Sequence, residues 1–129
     1  MITSAPEWLP GLRAGAQHFD AGRFWHAHED WEREWKAHPG AHRHYLKGLI
    51  QLTAACHHLA RGKPGAARAL LDRYPRHLCE NHPLSWPLDT AHLVAVAAAL
   101  AAALDRGRYP RPPPLRLLRM IDAWTTRAV

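Results

Sequence analysis

The chain has 129 residues, of which 47% are hydrophobic, and its formal net charge is +6. This length is typical of one domain, residues 1–129, that can bury a substantial core, and the composition excludes a disordered chain. No stretch has the pattern of a transmembrane span or of a signal peptide, so we expect a cytoplasmic protein without membrane contact. In that compartment Cys56 and Cys79 would stay reduced, and Cys56 is predicted to be a small buried hydrophobe.

Helical periodicity dominates the first half of the chain, and β-branched residues are scarce. Leu9 to Asp20 is predicted to form a first helix, followed after a tight junction by a second helix from about Arg23 to Ala37. A third helix is predicted from about His42 to Arg61. Its segment from Gly48 to Ala60 contains no Asp, Glu, Lys or Arg and is apolar nearly all round. Such a helix is expected at the buried centre of the fold.

Glycines and prolines divide the second half. Gly62 is predicted to end the third helix, and Pro64 suits the first turn of a fourth, which Pro75 would kink or end. Residues Asn81 to Pro87 read as a loop. Asp89 or Thr90 is predicted to cap a fifth, alanine-rich helix that stops at Gly107.

The proline run from Pro110 to Pro114 predicts a stiff extended connector. A short amphipathic helix over Leu115 to Arg127 is predicted to follow it and to pack back through Leu117, Leu118, Ile121 and Trp124. The sequence therefore predicts an all-α fold: a compact bundle of about five helices with a buried central third helix and a proline-rich C-terminal extension.

The second helix carries a histidine and a glutamate four residues apart, His28 and Glu32, which project from adjacent turns of one face. His28 is predicted near the centre of an apolar stripe with Phe24, Trp31 and Trp35, whereas Asp30, Arg33 and Glu34 are assigned to the opposite face. A buried imidazole needs a partner, and Glu32 is placed to supply one. The full set of candidate site residues, which also draws on the third helix, is His28, Glu29, Glu32, Trp35, Gln51, His57 and His58.

Three interpretations of this cluster stay open. It can be a satisfied polar network inside the core, a divalent metal site with His28, Glu32 and His58 as candidate ligands, or a pocket for acid–base chemistry. The zinc-protease pattern H-E-x-x-H fails, because Glu32 stands where its second histidine should be. No cofactor is predicted, and catalytic residues cannot be assigned. If the His28–Glu32 pair is buried and hydrogen-bonded, replacing either residue should destabilise the fold.

Other residues have plainer interpretations. Trp25, Trp31 and Trp35 are expected in the core. Two stretches are rich in basic residues, but no aromatic stacking platform is predicted among them, so nucleic-acid binding is predicted to be weak at most. These stretches are Arg61, Lys63, Arg68, Arg73 and Arg76, opposed by Asp72, and Arg106, Arg108, Arg111, Arg116 and Arg119. The remaining histidines are assigned to the surface: His18, His26, His38, His42, His44, His77 and His82.

Two motifs resemble one known family. The first is Phe19-Asp20-Ala21-Gly22-Arg23-Phe24-Trp25-His26-Ala27-His28-Glu29, continued by Glu32 and Trp35, and the second is Tyr45-Leu46-Lys47-Gly48-Leu49-Ile50-Gln51 with Arg61-Gly62 after it. Over roughly residues 12 to 72 the chain resembles domain-of-unknown-function family 309. The resemblance implies an all-helical bundle and no particular activity. Lys63 departs from the asparagine that the family usually has at this position.

The leading functional hypothesis is a small binding module for a small ligand or a protein, with its site near the second and third helices. The alternatives are an enzyme or metalloprotein that uses His28 and Glu32, and a weak nucleic-acid-associated protein. The oligomeric state does not follow from the sequence.

Overall fold

The computed structural model describes residues 5–78 and 86–128, which form six helices. Five of the six helix starts lie within one residue of the predicted positions, and the last helix starts two residues later than predicted. The helices are α1 (Leu9–Asp20), α2 (Phe24–Ala37), α3 (His42–Ala60), α4 (Pro64–Leu78), α5 (Thr90–Asp105) and α6 (Leu117–Ala128).

Each of the helices α1 to α4 packs on the next helix in the chain, and α6 packs on α1. Helix α1 packs on α2, α2 on α3, α3 on α4 and α4 on α5, while α6 lies against α1. Helix α3 therefore lies in the middle, as its apolar composition predicts, and it contributes Leu46, Leu49, Leu52 and Cys56 to the core. All six helices contribute buried side chains to one hydrophobic core.

The close packing of α1 on α2 depends on a glycine. Gly15 lies against the indole of Trp31, and a Cβ atom at position 15 would come within 2.0 Å of Trp31 Nε1. The indole is fully buried, and its Nε1–H donates a hydrogen bond to the Leu12 carbonyl at 3.1 Å. A buried indole N–H needs such a partner, so the missing side chain at Gly15 both admits Trp31 and lets it reach the backbone of α1.

The C-terminal residues are part of the bundle and not an extension from it. The backbone N–H groups of Leu117 and Leu118, at the start of α6, donate to the two carboxylate oxygens of Asp20 at 2.9 and 3.0 Å. Leu117 and Ile121 are fully buried. The predicted packing of the last helix through Leu117 and Ile121 is confirmed, and only its description as an extension was wrong. The sequence did not reveal that Asp20, 97 residues before Leu117, supplies the cap of α6.

Other predicted features have mixed outcomes. Asp89 caps α5 by accepting from His92 N–H at 3.0 Å, as predicted. Pro75 does not end α4, which continues to Leu78. Most of the predicted Asn81–Pro87 loop and Cys79 lie outside the described residues. Within the described part of the chain, no helix is both long and apolar enough to cross a bilayer.

Candidate functional site

The buried stripe of α2 differs from the predicted one. Its buried residues are Ala27, Trp31 and Glu34, spaced four and three residues apart. His28 lies at the edge of this stripe and keeps 15% side-chain exposure, whereas Glu34, which was assigned to the opposite face, is 6% exposed. The prediction failed because hydrophobicity alone places a glutamate outside, and only its partners in the fold make its burial possible.

Four aromatic side chains meet where α2 begins and α3 ends. We call Trp25, His28, His57 and His58 the histidine cluster. The indole of Trp25 stacks on the His28 ring, with centroids 5.0 Å apart and planes 6° apart, and its centroid lies 5.2 Å from that of His57. The rings of His57 and His58 are 5.7 Å apart. The expected approach of His28 to the histidines of α3 therefore occurs, with Trp25 in contact with both helices' histidines.

Trp25 is also the exception among the tryptophans of α2. Trp31 is fully buried and Trp35 is half-buried, but Trp25 is 50% exposed. The expectation that Trp25 belongs to the core was wrong. Its indole stacks on the His28 ring, and half of the Trp25 surface remains exposed to solvent.

Four polar atoms on α2 and α3 are buried without a hydrogen-bond partner among the described residues. Nε of Arg43 lies near the start of α3, and the other three are Nδ1 of His28, Oε1 of Gln51 and Nδ1 of His58. The predicted partner of His28 does not satisfy it. Glu32 Oε2 is 3.9 Å from His28 Nδ1, which is too long for a hydrogen bond, and the Glu32 side chain is 46% exposed. Buried polar groups are usually hydrogen-bonded, so these atoms mark the region as unusual.

The other predicted site residues lie apart from the cluster. Glu29 is exposed. Trp35 packs under the guanidinium of Arg43, whose Cζ is 3.7 Å from the centre of the indole ring. Among the residues that the structure describes, no three His, Cys, Asp or Glu side chains are grouped to hold one metal ion. The arrangement of His28, Glu32 and His58 therefore gives the metal interpretation no support.

Burial governs the electrostatics of this region. The pKa of His57 is lowered from its ordinary value, first because burial disfavours the charged ring and then because His58 and Arg61 are close. His57 is therefore neutral at pH 7. Burial also raises the pKa of Cys56 to about 12, so this thiol stays protonated, as expected of an inert core cysteine.

A second polar group, absent from the predicted site, lies at the other end of α2. His38 Nδ1 donates to the Glu34 carboxylate at 2.8 Å, and His42 Nε2 donates to it at 3.3 Å. His42 is 3% exposed, and its ring stacks on Trp8 with centroids 5.8 Å apart. Burial lowers the pKa of His42, although Glu34 opposes the shift. The spacing of Glu34 from Ala27 and Trp31 is the sequence signal that could have revealed this group.

The assignment of the remaining histidines to the surface holds only in part. It was wrong for His42, which is buried, and incomplete for His18, whose Nδ1 donates to half-buried Asp30 at 2.5 Å. His26 and His44 are exposed. The side chains of His77 and His82 lie outside the described part of the structure.

A groove of about 710 Å³ lies between the α1–α2 turn and the start of α6. Its lining is mixed. Phe19, Phe24 and Leu118 supply apolar walls, and Arg116 and Arg119 supply positive charge. The groove adjoins the end of the molecule at which the histidine cluster lies, because Trp25 directly follows Phe24.

Comparison with known proteins gives one match. Residues 12–70 match the family described as Domain of unknown function (DUF309). The match covers the segment that carries both sequence motifs, as the resemblance indicated. It runs from α1 into α4 and includes the histidine cluster and the Glu34 group. No curated protein and no solved structure matches the chain.

Proposed function

We propose that this chain is a small helical binding module whose ligand binds at the histidine cluster, between α2 and α3. The observation that carries the proposal is the set of three buried polar atoms without a partner, on His28, Gln51 and His58. Leaving one buried polar group unsatisfied costs about 1–3 kcal/mol. A fold that retains three of them in one region gains by binding a molecule that satisfies them.

The spacing of these residues fits a shared site. Gln51 and His58 are seven residues apart on α3, so they lie on one face of the helix, two turns from each other. His28 faces the same end of α3 from α2, since Trp25 contacts both His28 and His57. The half-exposed indole of Trp25 stacks on the His28 ring and gives a ligand an accessible aromatic surface beside it.

The chemistry of the cluster favours a polar, uncharged ligand. A neutral imidazole offers one donor and one acceptor nitrogen, and the amide of Gln51 offers both kinds of group. Burial lowers the pKa of His57, so this ring offers hydrogen bonds in its uncharged form, as the Gln51 amide does. Amides and alcohols of small size match this set of groups.

The proposal can be tested by NMR with a library of small amides and alcohols. We expect a subset of these compounds to shift the imidazole nitrogen signals of His28 and His58 in the wild type. His28→Phe and His58→Phe should abolish these shifts and leave the melting temperature unchanged or higher, because each removes a buried polar atom without a partner. His26→Phe is the matched control, since His26 is exposed on the same helix. Binding that survives both cluster substitutions would overturn the proposal.

A further inference from the structure

The two basic stretches of the sequence meet at one end of the bundle. The turn between α3 and α4 lies beside the end of α5, since Tyr109 Oη would be 3.6 Å from a Cβ atom at Gly62. Arg68 on α4 also pairs with Asp105, the last residue of α5, at 2.8 Å. A cleft of about 320 Å³ between these elements is lined by Pro64, Gly65, Arg68, Leu104, Gly107, Arg108 and Tyr109.

The chain then carries further arginines across the same end. After α5 it runs through the proline segment to the α1–α2 turn, where Pro112–Pro114 and Asp20 line the same groove. The exposed cations along this path, together with those of the α3–α4 turn, form a surface that we call the basic end. It comprises Arg61, Lys63, Arg106, Arg108, Arg111 and Arg116, all of them exposed.

The acidic residues at this end are already engaged. The Asp20 carboxylate accepts both N–H groups at the start of α6, and the Asp105 carboxylate pairs with Arg68. That guanidinium holds the pKa of Asp105 below its usual range. In the described structure the arginine ion pairs are those of Arg13, Arg33 and Arg68, so the cations of the basic end are available to an outside anion.

An exposed aromatic ring lies among these cations. Tyr109 is 51% exposed, directly follows Arg108 and adjoins the α3–α4 turn. Trp25, the other large exposed aromatic residue in the described structure, reaches the end of α3 through its contact with His57. Tertiary structure thus brings Tyr109, which the sequence places between Arg108 and Arg111, beside the cations of the α3–α4 turn, and it brings Trp25 to the end of α3.

We propose that the basic end binds single-stranded nucleic acid, with phosphates on the exposed arginines and Lys63 and with a base stacked on Tyr109. Cations that track a backbone beside exposed aromatic rings are the usual means of binding single strands without sequence preference. A duplex hides the faces of its bases and could use only the cations. This inference goes beyond the proposed function and does not rest on it, since its charges and Tyr109 lie outside the histidine cluster.

The first test is fluorescence polarisation with a labelled oligouridine of about twelve nucleotides, titrated over a range of salt concentrations. Each phosphate contact of a single strand contributes about 0.7 to the slope of log affinity against log salt. Arg61→Gln, Lys63→Gln, Arg106→Gln and Arg108→Gln combined should weaken binding at low salt tenfold or more and reduce the slope by about 2–3.

The matched control removes the same charge from exposed cations away from the basic end: Lys36→Gln, Lys47→Gln, Arg73→Gln and Arg127→Gln combined. Helical circular dichroism of both variants checks that they fold. The control should retain most of the wild-type affinity. Equal loss in both variants would mean that net charge alone drives binding, and the basic end would then not be the site.

The second test isolates stacking. Tyr109→Ala should weaken binding of the oligouridine about fivefold or more, whereas Tyr109→Phe, which keeps the ring, should bind like the wild type. An abasic oligomer of the same length should bind the wild type and Tyr109→Ala equally. If a duplex or polyglutamate binds as tightly as the single strand, the partner is a general polyanion or an acidic protein, and the proposal is wrong.

Discussion

Glu32 and Glu34 lie two residues apart on α2 but in different environments. Glu32 is 46% exposed and not hydrogen-bonded to His28, whereas the Glu34 carboxylate is buried and accepts from His38 and His42. Sequence periodicity assigned the partner role to Glu32, because Glu32 lies one turn from His28. In the structure the buried glutamate with histidine partners is Glu34, which accepts from His38 and His42, and His28 Nδ1 has no hydrogen-bond partner among the described residues.

This difference predicts opposite effects of the same substitution. Glu34→Ala should reduce the free energy of unfolding by about 1–3 kcal/mol, because it leaves the buried His42 Nε2 without its partner. Glu32→Ala should change it by less than about 0.5 kcal/mol, as is usual for exposed positions. Urea denaturation of the two variants measures both values. A larger loss for Glu32→Ala would restore the original interpretation of the His28–Glu32 pair.

Gly15 predicts a steric effect at the α1–α2 contact. Gly15→Ala should destabilise the protein by about 1–3 kcal/mol, because the added methyl group would overlap the buried Trp31 indole. Gly65→Ala is the control, since a Cβ atom there meets nothing within 4 Å and alanine favours a helix. Thermal unfolding should show a lower melting temperature only for Gly15→Ala. Equal melting temperatures would mean that α1 and α2 are not so closely packed.

The buried histidines predict a dependence of stability on pH. The pKa values of His42 and His57 are lowered from the ordinary 6.5, chiefly by burial, so below pH 6.5 the unfolded chain binds more protons than the folded one. Stability is therefore greatest above about pH 6.5 and falls as the pH drops below it. Melting curves between about pH 8 and 5.5 test this. His42→Gln should flatten the dependence, and the exposed His26→Gln should not.

At the scale of elements, α6 depends on a cap from another helix. Asp20→Ala should cost about 1–2 kcal/mol, because two N–H groups at the start of α6 lose their acceptor. Hydrogen exchange should show faster exchange at Leu117 and Leu118 and through the first turn of α6, with α3 unchanged. Glu29→Ala, which removes an exposed carboxylate, is the control. Unchanged exchange in α6 would show that the cap is dispensable.

At the scale of the whole molecule, α6 completes the core. Deleting residues 112–129 removes Leu115, Leu117 and Ile121, each of which is buried. Burial of one such side chain is worth about 1.5–3 kcal/mol, so their loss approaches the total stability of a small protein. We expect the truncated chain to melt at a much lower temperature or to unfold, as measured by circular dichroism.

A pair of point variants on α6 supports the same prediction. Ile121→Asp should reproduce much of the effect of the deletion, and Arg119→Asp, at an exposed position of the same helix, should not. A truncated chain with the wild-type melting temperature would show that α6 is not needed for the core.

The helices were largely predictable because their signals are local. Apolar spacing, Pro64 at a first turn, and Asp89 as a cap act within one or two turns of the residues they organise. The family motifs also lie in consecutive residues. For the candidate site, the sequence predicted correctly that His28 lies near His57 and His58. The predictions that Glu32 hydrogen-bonds to His28 and that Trp25 is buried were wrong.

The sequence by itself determined the class of fold, the central position of α3, the buried state of Cys56 and the match of residues 12–70 to one family model. Only the tertiary structure decided which polar groups are paired, that Asp20 caps α6, and that two distant basic stretches share one surface with Tyr109. The physical reason is the distance along the chain between the residues that interact. Helix formation depends on neighbours in the chain, whereas the burial of Glu34 and the collection of charge at one end depend on residues brought together only by packing.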